Sequence, residues 1–256
     1  MIGVFDSGLG GLSALKELRR RFPSLDTVYL ADTARLPYGA HTKAAVLRYA
    51  REALGFLESV GADTVLFACG TVSALALDTL KKESALALYG IISPAVEAAK
   101  SLAHTQKIAL LGTEATVKSG VFAAALKEAL PSASLVSVAC PLFVSLAEEG
   151  LFDPENPVTV ATVFHYLSPL LQESPDAILL GCTHFSLLAP CIRRLFPHTT
   201  LLDCGALAAK AVLPKEEGEG RLRFFVTENA ARFAEKASRI LGEAITATPL
   251  SLSSFA

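Results

Sequence analysis

Thr64-Val-Leu-Phe-Ala-Cys69-Gly-Thr-Val-Ser-Ala-Leu75 and Ala177-Ile-Leu-Leu-Gly-Cys182-Thr-His-Phe-Ser-Leu-Leu188 follow one plan, 113 residues apart. Each is a short apolar run that reads as a buried strand, a cysteine at its end, then polar residues opening a helix. The openings Ile2–Leu18 and Lys107–Leu126 repeat a strand, a Gly/Ser/Thr loop and a helix at an offset of 105. Two similar offsets point to two related halves. Between these landmarks, short apolar runs keep alternating with longer helical patterns, which requires parallel α/β sheets flanked by helices.

Eight strands are expected: Ile2–Phe5, Thr27–Leu30, Thr64–Ala68, Leu88–Ile92, Lys107–Leu111, Ser134–Val138, Ala177–Gly181 and Thr200–Leu202. Helices are expected over Leu12–Arg21, Thr42–Val60, Val72–Lys82, Val117–Leu130 and Thr159–Leu171. Leu15, Leu18 and Phe22 fall on one face of the first, leaving Lys16, Glu17, Arg19 and Arg20 for solvent. Pro94 is the crossing into the second half, and the tail after Ala206 returns to helix (Glu228–Leu241) against the first. The expected domains are therefore 1–93 with 207–256, and 94–206.

Charge and composition narrow the function. With 23 basic and 25 acidic residues, the chain has no electrostatic footprint for nucleic acid or an anionic membrane. Trp is absent, which disfavours an aromatic stacking groove. The longest charge-free run, Ala129–Ala147, contains two prolines and four serines and should not span a bilayer. The opening residues lack the basic region of a signal peptide, and with so few residues before the first strand no N-terminal regulatory extension is expected. Five cysteines with no CxxC pair do not read as a disulfide framework, so a reducing cytoplasm is expected.

Parallel α/β sheets bind ligands beyond the carboxyl ends of their strands, where Cys69 and Cys182 are placed. A helix N-terminus behind each would draw its thiol pKa toward neutrality. Two such thiols facing one cleft could remove a proton from one face of a carbon and return one on the other. Cys140, Cys191 and Cys204 have no such partner and read as core. Asp6-Ser7-Gly8-Leu9-Gly10-Gly11 follows the first strand; its glycines allow backbone approach to an anion, and Asp6 could accept from an ammonium or assist a cysteine. It is neither GxGxxG nor a Walker motif. Asp32 precedes a rigid Pro37-Tyr38-Gly39 turn, and Thr113, Thr116 and Ser119 offer hydroxyls in the matching loop of the second half. His184 could share a proton with Cys182, although neighbours two apart need special geometry to touch. A metal site from Cys69, Cys182, His184 and Cys204 has no recognised ligand spacing.

These pieces, in this order, resemble the glutamate racemase family of cofactor-independent amino-acid racemases. The matching residues are Phe5–Leu12, Asp32 with Pro37–Gly39, Ala68-Cys69 with Thr71, Gly112-Thr113 with Thr116 and Ser119, Glu148–Gly150 and Gly181–His184. Cys-Thr-His rather than Cys-Thr-Glu resembles the glutamate branch. The resemblance implies two pseudo-symmetric α/β domains with the site in the cleft between them. Cys69 would be the base toward D-glutamate and Cys182 toward L-glutamate, assisted by Asp6 and His184. Ser7, Pro37, Tyr38, Gly39, Gly70, Thr71, Thr113, Thr116 and Thr183 would bind substrate, with Asp32 and Glu148 shaping the site. It also implies no cofactor and no metal, a homodimer, and a product used for peptidoglycan.

One departure stands out. The family has Cys-Asn-Thr where this chain has Cys69-Gly70-Thr71. A lost substrate hydrogen bond is worth roughly 0.5–1.5 kcal/mol, or about 1.5–3 to a charged partner. That departure raises an alternative: a related racemase, isomerase or decarboxylase for another acid, or a weakened homologue that only binds. A Cys182–His184 thiol hydrolase is a more distant option.

Overall fold

The computed structural model describes residues 1–102, 105–215 and 218–255. Strands β1 (Ile2–Asp6), β2 (Thr27–Ala31), β3 (Thr64–Phe67) and β4 (Ala87–Gly90) alternate with α1 (Leu12–Arg21), α2 (Lys43–Ser59), α3 (Gly70–Leu75), α4 (Leu77–Glu83) and α5 (Ile92–Ser101). Strands β5 (Lys107–Gly112), β6 (Ser134–Ala139), β7 (Ala177–Leu180) and β8 (Thr200–Asp203) follow. They are interleaved with α6 (Glu114–Ser119), α7 (Val121–Ala129), α8 (Pro141–Glu149), α9 (Pro157–Leu167), α10 (Leu170–Glu173) and α11 (Ala189–Leu195). The chain ends with α12 (Cys204–Ala211), β9 (Leu222–Val226), α13 (Ala230–Leu241) and β10 (Ala247–Pro249).

Every strand pair among these is parallel. One sheet has the order β10-β9-β2-β1-β3-β4 and the other β6-β5-β7-β8. The order β2-β1-β3-β4 maps directly onto β6-β5-β7-β8, so the sequence echo reflects one topology used twice. The α/β class with two parallel sheets is as the alternation requires.

Three apolar cores hold the layers together. A central core joins α1, through Leu12, Leu15 and Leu18, to α5 and α12 and to one face of each sheet. Separate cores cover the outer faces, around Phe67 and Leu57 in the first sheet and around Phe143 and Phe185 in the second. Local capping sets the helix starts. Thr42 accepts from Ala45 N at 3.3 Å, and Asn156 accepts from Val158 N and Thr159 N at 2.9 and 3.3 Å ahead of Pro157.

Three expected helices are broken in two. Val72–Lys82 divides at Ala76, and Thr159–Leu171 divides after Leu167. Val117–Leu130 divides at Gly120, whose φ of 69° is left-handed backbone that ends one helix and starts another. Leu88–Ile92 gives up its last residues, since Ile92 already begins α5. The tail holds more than the expected helix, because β9 and β10 extend the first sheet beside β2. Among the described residues, no helix is long and apolar enough to cross a membrane.

Candidate active site

Both sheets point the carboxyl ends of their central strands at a common seam. β3 ends two residues before Cys69, which precedes α3, and β7 ends two residues before Cys182, which precedes a 3₁₀ turn over Thr183–Leu188. Each thiol residue is only 5 % exposed. Thus the second cysteine does not precede an α-helix as its twin does, and that difference creates the contact between neighbours two apart. The tighter 3₁₀ winding brings His184 Nδ1 to 3.7 Å from Cys182 Sγ.

Around His184 the polar groups form a chain. Its Nε2 lies 2.6 Å from Glu148 Oε1, and the same oxygen accepts from Leu9 N at 2.7 Å. Burial by itself would discharge the imidazole. Hydrogen bonds to Cys182 and Glu148 outweigh burial and hold its pKa well above the ordinary value, which favours the imidazolium form. Burial likewise opposes the Glu148 carboxylate, but the His184 hydrogen bond and charge, with Leu9 N–H and Lys236 assisting, keep its pKa below the usual range.

Cys69 has a different setting. Burial pushes its thiol up to about 12, with the neighbouring Asp6 carboxyl adding to the rise. This corrects the expectation of a thiol drawn toward neutrality. Helix α3 has only six residues, and its first N–H groups do not offset the desolvation of a thiolate. Asp6 is itself fully buried, and burial raises its carboxyl above the ordinary range. Its two oxygens accept from Gly8 N at 2.9 Å and from Thr183 Oγ1 at 2.8 Å. The second of these bonds crosses the seam.

Thr71 and Thr113 also meet across the seam, Oγ1 to Oγ1 at 3.1 Å, and Thr113 continues to Thr116 Oγ1 at 2.9 Å. Ser7 lies buried in the loop after β1. Pro37 leads into a 3₁₀ turn over Tyr38–Ala40, in which Gly39 lies against the Thr113 side chain. The Tyr38 hydroxyl is turned to Asp32, which also accepts from Arg35 Nε at 2.6 Å and Thr227 Oγ1 at 2.8 Å. Asp32 therefore holds this turn together and touches the tail, while its own carboxylate is spent on those three donors. Ser119 bonds to the Thr116 carbonyl at 2.6 Å as a local helix contact.

Glycine is required where the halves touch. A Cβ on Gly8 would run into the Glu148 carboxylate, and a Cβ on Gly70 would run into the Gly181 carbonyl oxygen. At position 70 the chain therefore uses backbone-to-backbone contact where the related pattern carries an asparagine side chain.

Cys140, Cys191 and Cys204 are free and buried. Cys140 and Cys191 lie in the outer core of the second sheet and Cys204 in the central core. Among the described residues, no group of three or more His, Cys, Asp or Glu side chains is arranged to hold a metal. Glu148 is more central than its sequence suggests, because Glu148-Glu149-Gly150 reads as a solvated helix end. Lys236, which donates to the Glu148 carbonyl oxygen, carries no sequence signal at all.

The Asp/Glu/hydantoin racemase family profile matches residues 9–212. The glutamate racemase of Aquifex aeolicus is 41 % identical over 95 % of each chain. The glutamate racemase of Francisella tularensis, solved in complex with D-glutamate, superposes with a TM-score of 0.88 at 28 % identity, covering 99 % of this chain and 98 % of that one. The Bacillus anthracis glutamate racemase structure gives 0.91 at 29 % identity over 98 % and 97 %.

Proposed function

Because the chain belongs to the Asp/Glu/hydantoin racemase family, with glutamate racemases among its near relatives, we propose that it interconverts L- and D-glutamate by two-base proton transfer. The observation that carries this reading is the pair of buried thiols at matched strand ends across one seam. In one direction the Cys182 thiolate takes the α-proton of L-glutamate, leaving a carbanion whose charge spreads into the carboxylate. The Cys69 thiol then delivers its proton to the opposite face, giving D-glutamate and a Cys69 thiolate. The reverse direction exchanges the roles, and no proton is gained or lost over a cycle.

The α-proton is very weakly acidic, so the carbanion must form in a preorganised, water-poor site. Burial of both thiols and the seam hydrogen bonds of Asp6, Thr71 and Thr113 support such a site. Protonated His184 is placed to balance a thiolate on Cys182 and to restore its proton. Ser7, Pro37, Tyr38, Gly39, Gly70, Thr71, Thr113, Thr116 and Thr183 are the proposed substrate contacts, with Asp6 assisting Cys69 and Asp32 and Glu148 in supporting positions. The proposed domains are 1–93 with 207–256, and 94–206. A cytoplasmic homodimer that supplies D-glutamate to peptidoglycan belongs to the same reading, supported by the family. Gly70 does not favour another substrate, since the near relatives are glutamate racemases and its place is explained by the Gly181 contact.

The test is proton NMR of each glutamate enantiomer with the protein in deuterated buffer. Loss of the α-proton signal from both, with interconversion on a chiral column, is expected. Reduced, folded protein that exchanges neither enantiomer overturns the reading.

A further inference from the structure

The polar chain behind Cys182 continues beyond His184 and Glu148 to a part of the molecule with no role in the site as described so far. Glu148 is the penultimate residue of α8, and its backbone carbonyl accepts from Lys236 Nζ on α13. One residue on, Glu149 pairs with Arg232 of the same helix at 2.5 Å. Helix α13 lies between the two strands that the tail adds to the first sheet, whereas α8 follows an edge strand of the second. The tie therefore spans from one half to the other.

Resting on the two-thiol reading above, we propose that Lys236 is a positioning residue for the second thiol. It holds the carboxyl end of α8 so that Glu148 keeps His184 against Cys182. Three observations support this. A cation at a helix carboxyl end meets the negative end of the helix dipole and an unpaired terminal carbonyl. The tie borders a cavity of about 160 Å³ lined by Leu9, Leu36, Glu148, Phe233 and Lys236 among others, so close apolar packing does not set the spacing there. Finally, Glu148 is held from three directions, by Leu9 N, His184 Nε2 and Lys236 Nζ, each from a different segment of chain.

The Arg232–Glu149 pair is more than half exposed on both sides and contributes little by itself. Lys236 differs because it bonds to the residue that bears the catalytic contact, and its charge also favours the Glu148 carboxylate. The charged and titratable groups facing this centre are Cys182, Glu148 and Asp6 around His184, and His184, Asp6 and Lys236 around Glu148. Removing the Lys236 charge should thus loosen the Glu148 carboxylate and, through it, the imidazolium.

The experiment compares Lys236→Met, which keeps the apolar stem, with Lys236→Arg, which keeps the cation. The His184 imidazole is titrated by NMR in the ligand-free protein, with His184→Gln assigning the signal. In Lys236→Met its midpoint should fall by about half a pH unit or more. The kcat for glutamate should drop about 3- to 30-fold with KM nearly constant, as expected of a displaced proton-transfer group. Lys236→Arg should recover both. A Lys236→Met protein whose His184 titration and kcat match the parent overturns the proposal. If the His184 midpoint moves but the parent does not turn over glutamate, the positioning role stands and the substrate reading fails. If Lys236→Met does not fold, failure of Lys236→Arg to keep the parent's His184 midpoint overturns the proposal, and retention supports it.

Discussion

The Cys69 end and the Cys182 end are built from the same strand order and provisioned in opposite ways. Behind Cys182 stands an imidazole at 3.7 Å whose pKa is raised, anchored by a carboxylate that hydrogen bonds and charge keep below the usual range against the opposing effect of burial. Near Cys69 stands a buried carboxyl whose pKa is raised, and the thiol itself is pushed up to about 12. A repeated scaffold places two cysteines alike, but it does not make two like acids. Charge environment comes from residues supplied by other segments, and these do not repeat. Burial holds the Cys69 thiol high, whereas Cys182 has an imidazole within reach of its sulfur.

The hardest test of that contrast is removal of each thiol. Cys69→Ser and Cys182→Ser should each lower racemisation by at least about 10³-fold, within the span of general acid–base catalysis. In deuterated buffer, Cys69→Ser should still exchange the α-proton of L-glutamate more readily than that of D-glutamate, and Cys182→Ser the reverse. Equal residual exchange of both enantiomers by either variant would erase the distinction between the ends. Full racemisation by either would remove the two-thiol mechanism.

Next in size is position 70. Gly70→Ala places a methyl against the Gly181 carbonyl and must force the two strand-end loops apart. Overpacking of this kind costs about 1–3 kcal/mol, which lowers Tm by roughly 2–12 °C in a chain of this size. Wider loops should also reduce kcat by about tenfold or more. An Ala variant with unaltered Tm and kcat would show that the seam is loose at this point.

The two carboxyls predict opposite pH behaviour. A raised pKa for His184 gives stability that is full below the unfolded value near 6.5 and is lost as pH rises through the folded value. The lowered pKa of Glu148 gives stability present above about 4.5 and lost as pH falls through its folded value. Asp6, with a raised pKa, favours the fold below about 3.8 and loses that contribution as pH rises. Melting at pH 7.5 should therefore show Glu148→Gln below the parent and Asp6→Asn above it, by about 2–6 °C in each case. Shifts of the same sign in both variants would contradict the asymmetry.

The smallest effect is expected from the threonine pair. Thr71→Val and Thr113→Val each remove one hydroxyl of a 3.1 Å contact, at about 0.5–1.5 kcal/mol, and the double variant should cost less than the sum. A double-mutant cycle on urea denaturation measures the coupling, and strict additivity would mean that the two hydroxyls do not support each other.

All eight sequence-read strands are present, because strands buried on both faces leave continuous apolar runs such as Thr64–Phe67 and Ala177–Leu180. Strands β9 and β10 escaped notice. Leu222–Val226 includes Arg223 and follows a charged stretch, and Ala247–Pro249 is a three-residue edge strand, so neither leaves an apolar run. The broken helices were illegible for a related reason: apolar spacing records which face is buried and carries no trace of a change in axis at Ala76 or Gly120. In the site, residues read from strand ends were found where expected. Glu148 was legible only as a supporting residue, its bonds to Leu9 and His184 being tertiary, and Lys236, which lies 88 residues from its acceptor, was not legible at all.

Periodicity and local turn chemistry act over a few residues, so the chain alone determined its parallel sheets, their repetition, the matched cysteines and the family. Proton affinities depend on burial and on charges a few ångströms away, contributed by segments far apart in sequence, 177 residues in the bond from Thr183 to Asp6. Only the closed tertiary structure brings those groups together, and it decided that the imidazole beside Cys182 in sequence reaches its sulfur while burial raises the Cys69 thiol.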